Sequence, residues 1–207
     1  LTTIVALRRR GFLSEAIKEF VLSTGLTKTE AVLTWDDLIV HNRRRLDAKC
    51  NRYFFVENPK EIKIENAPEQ TAELKLHPEF EDRGTRKFKT KDKFYVTEKD
   101  LKEFKEGKLV RLMDCLNFKK ARGKFVFDSK EYEKYKKSGD KIIHWLPVQK
   151  DLVKVEVLMP DKKVAKGLAE PMVKNLKIGD IVQFTRFGFC KLDSKEKDKL
   201  KFWYTHG

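Results

Sequence analysis

The spacing of apolar residues changes near residue 50, and this change limits the fold more than any other feature of the sequence. Before it, apolar residues recur at helical spacing, as on one face of an α-helix. After it, short runs alternate apolar with polar side chains and are separated by Asn, Pro and Gly. Many short alternating runs predict antiparallel barrels or sandwiches rather than a parallel sheet. The sequence therefore predicts an α+β chain in which the helices come first.

Recognisable helix starts occur in the first part. Ser14 is the predicted N-cap of a helix that ends at Gly25, and capping boxes of the T-x-x-E type and its T-x-x-D variant occupy 27–30 and 34–37. The helix after the second box has one predicted inner face, made of Leu38, Ile39, Asn42 and Leu46.

The alternating part is predicted to contain strands, a hairpin and a further helix. Strands lie on both sides of Asn58–Pro59, a helix spans 97–104, and a hairpin turns at 121–123. A later strand has one apolar side, made of Val153, Val155, Val157 and Met159. The lysine-rich tract 129–141 is predicted to be a solvated loop or a short helix between strands.

Positive charge bears most directly on function. The 207 residues include 46 Lys and Arg against 32 Asp and Glu, a formal net charge of +14. Such an excess favours polyanionic partners, because each neutralised phosphate releases condensed counterions; a lysine-rich proteome is the alternative explanation. Aromatic residues make up 11% of the chain, and unpaired bases stack on aromatic rings. The composition therefore favours RNA as a partner.

Several classes of protein are excluded by what the sequence lacks. No apolar run approaches the roughly 20 residues that span a bilayer, and no signal peptide is visible. Cys50, Cys115 and Cys190 have no zinc-ligand spacing and are odd in number, so we expect buried thiols in a reducing cytoplasm and no metal site. The chain starts at Leu1 instead of Met, so we expect a fragment or a processed product.

Catalytic residues are not predicted either. The histidines are scattered, and no nucleotide-binding or nucleophile motif is present. Asp36–Asp37 is interpreted as a helix-start charge pair, and His144 beside Trp145 as a packed polar residue. We therefore expect that this chain alone is not an enzyme.

Basic, aromatic and turn residues do occur together in the opening stretch, at 51–55 and at 77–88, which predicts a surface for single-stranded RNA.

A family resemblance is carried by blocks that read LRRRGF with AIKEF, CNRYFFVENP, HPEFEDRGTR, IIHWL and GLAEPMVKNLKIGDIVQFTRFGFCKLDS. Together they resemble the C-terminal part of the glutamyl/glutaminyl class I aminoacyl-tRNA synthetases. The blocks occur in the family's order and cover essentially the whole chain, and the last block is very specific. The lack of long inserts is more similar to archaeal glutamyl enzymes than to bacterial glutaminyl enzymes.

The resemblance implies an α+β fold: a helical connecting subdomain over 1–50, then two antiparallel, ribosomal protein L25-like β-barrels. The first barrel is expected over 51–116 plus about 170–207, and the second over 117–169. The family's catalytic Rossmann domain, with its HIGH-type and KMSKS-type motifs, would precede this chain. ATP and Mg²⁺ are expected to bind only in that domain, so no cofactor is expected here.

The implied function is tRNA anticodon recognition as part of a glutamate–tRNA ligase. The expected partner is tRNA-Glu, and the chain is expected to be a cytoplasmic monomer without membrane contact. The alternatives are a glutaminyl-tRNA synthetase region that binds tRNA-Gln, a general RNA-binding barrel protein, and a module that docks a protein partner.

The resemblance also assigns residues. Arg52, Gln183 and Arg186 are expected to enclose the middle anticodon base, a uridine, in a cleft between the barrels. Arg86 is expected to contact another anticodon nucleotide. Weaker candidates for RNA contact are Tyr53, Arg83, Lys87, Arg8, Arg9 and Arg10.

Two of these assignments have structural alternatives. Arg186 lies in an otherwise apolar row of a predicted strand over 182–192, and it could pair with a buried acid such as Asp193. Arg8, Arg9 and Arg10 could instead be the basic C-terminal end of a helix, where the helix macrodipole favours positive charge. Positions 183 and 186 are three residues apart, so in a regular strand, where side chains alternate, they would point to opposite faces. Joint action on one base therefore requires a bulge, favoured by Gly188, or a strongly twisted strand end.

Overall fold

The computed structural model describes residues 3–25 and 32–207, so the predicted capping box at 27–30 lies outside the described residues. Helices come first, and shorter helices interrupt the strands that follow. Their bounds are α1 Ile4–Arg10, α2 Ser14–Ser23, α3 Trp35–Lys49, α4 Glu98–Glu103 and α5 Tyr132–Ser138, with 3₁₀ turns at Glu81–Arg83 and Pro171–Asn175. The predicted order of helices before strands is confirmed, as are a helix after residue 97 and a short helix within 129–141.

The starts of α2 and α3 follow from local and tertiary hydrogen bonds. Thr34 and Asp37 form the predicted capping box of α3, in which the Thr34 amide donates to Asp37 Oδ2 at 2.8 Å. Ser14 is the first residue of α2 and not its N-cap, which is Leu13. The reason is tertiary, because the Leu13 amide donates to Asn42 Oδ1 of α3 at 2.9 Å. The predicted inner face of α3 is confirmed at Leu38, Asn42 and Leu46, which are buried.

Strands make up most of the chain after α3. They are β1 Arg52–Tyr53, β2 Phe55–Glu57, β3 Pro59–Glu65, β4 Gln70–Lys75, β5 Thr85–Thr90, β6 Lys93–Thr97, β7 Leu109–Leu112, β8 Leu116–Ala121, β9 Lys124–Ser129, β10 Gly139–Ile143, β11 Leu146–Pro147, β12 Val153–Leu158, β13 Val164–Ala169, β14 Ile181–Phe184, β15 Gly188–Lys195 and β16 Lys199–His206. The predicted break at Asn58–Pro59 and the hairpin at 121–123 are confirmed.

Two large sheets and one hairpin contain all these strands. The first sheet has the order β1-β14-β15-β16-β12-β13-β2, and the second has the order β10-β7-β8-β9-β3-β6-β11, while β4 pairs with β5. The edge strands β1 and β2 of the first sheet are separated only by Phe54, so this sheet curves until its edges are adjacent. The edge strands of the second sheet, β10 and β11, are separated only by His144 and Trp145, which requires the same curvature.

The expectation of purely antiparallel sheets is wrong, because both large sheets are mixed. β1 pairs with β14 and β12 pairs with β16 in parallel, as do β3 with β9 and β7 with β10. The sheets also group the strands differently from the predicted domain boundaries of 51–116 with 170–207, and 117–169. The first sheet uses residues 52–57 and 153–206, and the second uses residues within 59–147. Parallel pairing between distant segments sets this grouping, and local patterns do not encode it.

Each large sheet covers its own hydrophobic core. Phe54 and Phe55 are adjacent and fully buried, yet Phe54 packs in the core of the second sheet and Phe55 in that of the first. The backbone at this point therefore joins the two cores. The cysteines, Cys50, Cys115 and Cys190, are free and buried, as predicted.

Candidate nucleic-acid interface

A cleft of ≈ 630 Å³ lies where the two large sheets and the β4–β5 hairpin meet. Arg52 of β1, Arg86 of β5 and Arg111 of β7 each line it. The lining also includes Phe54, Lys75, Pro78, Met113, Asp114 and Thr185. Guanidinium donors beside apolar side chains are the groups that bind unpaired bases, through hydrogen bonds and stacking. The cleft is therefore the candidate interface.

Arg52 and Gln183 lie side by side at the edge of the first sheet. Arg52 is opposite Gln183, and Tyr53 is opposite Phe184, in the parallel pairing of β1 with β14. Because side chains alternate along a strand, Arg52 and Gln183 share one face, while Tyr53 and Phe184 are buried on the other. The structure thus brings together two of the residues that were predicted to contact one base.

The Arg52 guanidinium is only partly satisfied by the protein. Nη2 donates to Asp47 Oδ1 in the last turn of α3 at 3.0 Å. Nε is buried and has no hydrogen-bond partner among residues 3–25 and 32–207. A buried donor without an acceptor costs about 1–3 kcal/mol. The described residues therefore leave this donor unsatisfied, while the Arg52 side chain as a whole is 30% exposed.

Arg186 lies in a turn and not on a strand. β14 ends at Phe184 and β15 begins at Gly188, and the Phe187 amide closes the turn by donating to Phe184 O at 2.9 Å. The predicted continuous strand with a bulge is therefore wrong. Arg186 has a φ of +63°, at the third position of the turn, where Gly or Asn is usual. Glycine is required at 188, because φ is +141° and an added Cβ would lie 2.7 Å from His206 O.

The Arg186 side chain extends from the first sheet to groups beside the second. Nη1 and Nη2 donate to Asp100 Oδ2 and Oδ1, both at 2.8 Å. Nη1 also donates to His144 Nδ1 at 3.2 Å. The alternative expectation, an ion pair with a buried acid, is therefore met, but the acid is Asp100 of α4 and not Asp193.

Asp100 is itself fixed by further partners. Thr97, the N-cap of α4, donates its hydroxyl to Asp100 Oδ2 at 2.8 Å, and Lys141 Nζ lies 2.8 Å from Oδ1. Burial raises the pKa of Asp100, but hydrogen bonds from Arg186 and Lys141 outweigh burial and hold the pKa well below its usual range. The carboxylate is therefore ionised at neutral pH.

His144 is buried, and both of its ring nitrogens are bonded. Nε2 lies 2.8 Å from Phe55 O and donates to it, so Nδ1 is the acceptor for Arg186. Burial, and then the charge of Arg186, lower the pKa of His144 to about 4. The interpretation of His144 as a packed polar residue is confirmed, and its imidazole is neutral at pH 7.

Arg86 forms a buried ion pair with Glu170. Its Nε lies 3.0 Å from Glu170 Oε2, and the two side chains are 3% and 0% exposed. The contact is not aligned as a hydrogen bond, but Arg86 Nη1 donates to Lys75 O at 2.6 Å, and the guanidinium lies 5.0 Å from the centre of the Phe54 ring. Glu170 Oε2 also accepts from the Phe54 amide at 2.7 Å. Burial raises the pKa of Glu170, and the charge of Arg86 opposes that rise.

Two family models match the chain, and both are described as "tRNA synthetases class I (E and Q), anti-codon binding domain". One matches residues 50–137 and the other residues 142–193, so the matches include every residue named above as lining the cleft. The chain belongs to this family. The resemblance predicted from the sequence blocks is confirmed.

Three relatives are similar to the chain over its whole length. It is 42% identical over 215 residues to the glutamate–tRNA ligase of Pyrococcus abyssi, and 42% identical over 219 residues to that of Pyrococcus furiosus. It is 36% identical over 210 residues to the glutamate–tRNA ligase of Methanocaldococcus jannaschii. Each alignment covers 100% of this chain and 37% of the relative, so the chain spans little more than a third of the relatives' length.

The weaker candidates from the family resemblance have different surroundings. Arg83 donates to Lys49 O and to the preceding carbonyl, at 2.8 and 2.7 Å, and so caps the C-terminus of α3. Lys87 is exposed and lies 3.4 Å from Glu73. Tyr53 is 4% exposed and packs in the core of the first sheet, which leaves its ring little surface for contact with RNA.

Arg8, Arg9 and Arg10 form the last turn of α1, which agrees with the alternative that they are the basic end of a helix. Arg9 donates to Asp193 at 3.2 and 3.3 Å, and its guanidinium lies 4.6 Å from the centre of the Trp203 ring. Arg10 donates to two carbonyls of β16. Arg9 remains 59% exposed, so contact between this segment and RNA stays a prediction.

Three groups at the site were not among the predicted residues. One feature of the sequence could have pointed to Asp100: it lies three residues after Thr97 at a predicted helix start, the spacing of a capping box. Glu170 lies in the specific GLAEP block, but its ion pair with β5 has no sequence signal. Arg111 donates to Asn117 Oδ1 at 2.9 Å, and its strand pattern alone gave no reason to select it.

Neither a metal centre nor a membrane span is found in the part of the chain that the structure describes. No cluster of three or more His, Cys, Asp or Glu residues there could hold a metal ion. None of its helices combines the length and apolar character needed to cross a bilayer.

Proposed function

We propose that the chain is the anticodon-binding region of a glutamate–tRNA ligase and that its cleft receives anticodon bases of tRNA-Glu. Membership of the family supports the first part. The observation that carries the second part is the pairing of Arg52 with Gln183 beside the cleft. A uracil edge offers two carbonyl acceptors and one N–H donor, and a guanidinium with a neighbouring amide complements all three. Arg186 and Arg86 are proposed to contact this base and a neighbouring nucleotide.

The two large sheets are proposed to be barrels of the ribosomal protein L25-like type. In each sheet the two edge strands are nearly consecutive in the chain, which supports closure. The first barrel would comprise β1, β2 and β12–β16, and the second would comprise β3 and β6–β11. The cleft would then lie between the barrels.

We propose that contacts to tRNA phosphates and contacts to tRNA bases have separate roles in recognition. Exposed Lys and Arg side chains neutralise phosphates and set the position of the tRNA, while the cleft reads base edges. Arg52 is paired with Asp47, and Arg83 caps the same end of α3, so α3 is the proposed connection from the cleft to the rest of the ligase.

Aminoacylation is proposed to take place elsewhere in the ligase. ATP and Mg²⁺ would bind in its catalytic domain, and this chain alone would bind tRNA as a cytoplasmic monomer without charging it. The relatives are named glutamate–tRNA ligases, which favours tRNA-Glu over tRNA-Gln as the partner.

Binding to anticodon variants tests the proposal. The chain is titrated with tRNA-Glu transcripts that carry U or C at the middle anticodon position, at 50 and 200 mM salt. We expect a preference for U of about 5- to 150-fold, which corresponds to one specific base contact. We also expect log affinity to fall by roughly 0.7–0.9 per phosphate contact per decade of salt.

Other outcomes identify the alternatives. Equal affinity for both transcripts would indicate a general RNA-binding protein. Affinity that stays constant with salt would exclude an electrostatic RNA surface. Preference for G over C at the third anticodon position would indicate tRNA-Gln.

A further inference from the structure

Among the residues that the structure describes, Arg186 uses only one side of its guanidinium for contacts within the protein. Of five N–H donors, Nη1 directs two at Asp100 and His144, and Nη2 directs one at Asp100. In a planar guanidinium the remaining donors, Nε–H and the second Nη2–H, point in the same direction. They form a fork for two acceptor atoms. The side chain is 30% exposed, and neither of these two donors has a hydrogen-bond partner among residues 3–25 and 32–207.

The backbone of Arg186 points to a function as well. A residue with a Cβ is disfavoured at a φ of +63°, and such residues collect at ligand sites where the surroundings hold them. The turn that contains Arg186 follows Gln183 directly on β14 and includes Thr185, which lines the cleft. The turn is therefore fixed beside the cleft.

We propose that Asp100 and His144 are positioning residues for Arg186. They hold the Nη1 side of the guanidinium, so that the Nε–Nη2 fork stays available to the bound base, and they do not touch the base themselves. This inference rests on the proposed function, because it requires Arg186 to contact the anticodon.

The supports of the two positioning residues come from different parts of the fold. Thr97 holds Asp100 at the start of α4, while the Phe55 carbonyl of β2 holds His144. Asp100 fixes the plane of the guanidinium through two hydrogen bonds, and His144 occupies the remaining Nη1 donor. Arg186 is therefore fixed by both large sheets, although it belongs to the first.

Asp100→Asn tests the proposal, because an amide can accept only one of the two hydrogen bonds and carries no charge. The readout is the ratio of Kd values for transcripts with C and with U at the middle position. We expect Asp100→Asn to lower this ratio toward 1, by up to about 10-fold. In an Arg186→Ala background the same change should alter the ratio less than about 2-fold, because the two residues act through one contact.

Asp128→Asn is the matched control. Like Asp100, Asp128 pairs with two cationic side chains, here Lys119 at 2.9 Å and Lys134 at 2.7 Å, and its side chain is 12% exposed. We expect this variant to keep the ratio of the wild-type chain. Thermal melts accompany each titration, so that a loss of folding is separated from a loss of discrimination.

Two substitutions at His144 keep the proposal testable if Asp100→Asn does not fold. His144→Gln can still donate to Phe55 O but loses the acceptor for Arg186, whereas His144→Asn keeps an acceptor near the position of Nδ1. We expect a lower ratio for the Gln variant, by about 3-fold or more, and a smaller change for the Asn variant.

The outcomes separate the two proposals. If the wild-type chain does not prefer U, the proposed function fails, and the positioning proposal fails with it. If the wild-type chain prefers U and folded Asp100→Asn keeps that preference, only the positioning proposal is overturned. Equal ratios for the two His144 variants would also overturn it.

Discussion

Arg86→Met is the substitution whose effect on folding follows most directly from the structure. Arg86 and Glu170 face each other at 3.0 Å, with both side chains almost fully buried. Removing one partner of such a pair leaves the other charge without a counter-ion, which costs about 3–5 kcal/mol. Met retains much of the apolar stem of Arg86 but loses the guanidinium, which lies 5.0 Å from the centre of the Phe54 ring. We expect the free energy of unfolding at pH 8 to fall by about 3–5 kcal/mol.

The pH dependence of this loss identifies its cause. Burial raises the pKa of Glu170, and Arg86 opposes the rise, so the pKa should rise further in the variant. A carboxyl whose folded pKa lies above its unfolded value stabilises the folded state at low pH and loses that contribution as the pH rises. Urea denaturation at pH 5.5 and pH 8 should therefore show a loss that is larger at pH 8 by at least about 1 kcal/mol.

Two controls accompany the measurement. The double variant Arg86→Met with Glu170→Gln removes both charges and should recover a large part of the loss. Lys63→Met breaks an exposed pair with Asp92 and should cost at most about 1 kcal/mol. A loss for Arg86→Met as small as that of Lys63→Met, or one that does not change with pH, would refute the reasoning. Binding of tRNA by this variant is interpretable only where the variant is folded.

Three further predictions concern the cap of α3, a buried histidine and two buried thiols. Arg83→Met removes the cap of α3 and should lower stability by about 1–2 kcal/mol in urea denaturation followed by circular dichroism; an unchanged midpoint would contradict the capping role. The unfolded imidazole of His144, with a pKa of 6.5, takes up a proton that the buried ring, with a pKa of about 4, does not. The wild-type chain should therefore lose about 2–3 kcal/mol more stability than His144→Gln between pH 7.5 and pH 4.5, and parallel pH profiles would argue against this. Burial raises the pKa of Cys50 and Cys115 to about 12, so the thiols should react with Ellman's reagent at pH 8 only in denaturant; rapid reaction of the native chain would show that they are accessible.

Local structure could be predicted from the sequence because it depends on neighbouring residues. The Thr34–Asp37 box starts α3, and the Asn58–Pro59 pair separates β2 from β3. The arrangement of the sheets could not be predicted in this way. Arg52 pairs with Gln183 in parallel, and Lys154 pairs with Lys199, and neither register has a local signal. The expected antiparallel pairing failed at these long-range contacts, where distant segments pair in parallel.

The same distinction applies to the site. The family resemblance selected Arg52 and Gln183, and the structure places them side by side. Alternation along a presumed strand misplaced Arg186, because β14 ends at Phe184 and a turn precedes the start of β15 at Gly188. A buried acid was the alternative partner for Arg186, but Asp193 was the wrong acid, since the contact with Asp100 depends on how α4 packs. Such partners follow only from tertiary structure.

The arginines predicted to contact bases all form ion pairs with acids. This pairing separates the residues that set base specificity from those that set the overall affinity for RNA. Arg52, Arg86 and Arg186 are each held by an acid from another element, respectively Asp47, Glu170 and Asp100. Within these pairs the charges cancel, so the formal excess of +14 is carried by other Lys and Arg residues. A fixed, neutralised guanidinium contributes directed donors but little long-range attraction, whereas exposed lysines contribute attraction without direction. Changes at the paired arginines should therefore alter which base is preferred, while changes at exposed lysines should alter how steeply binding depends on salt.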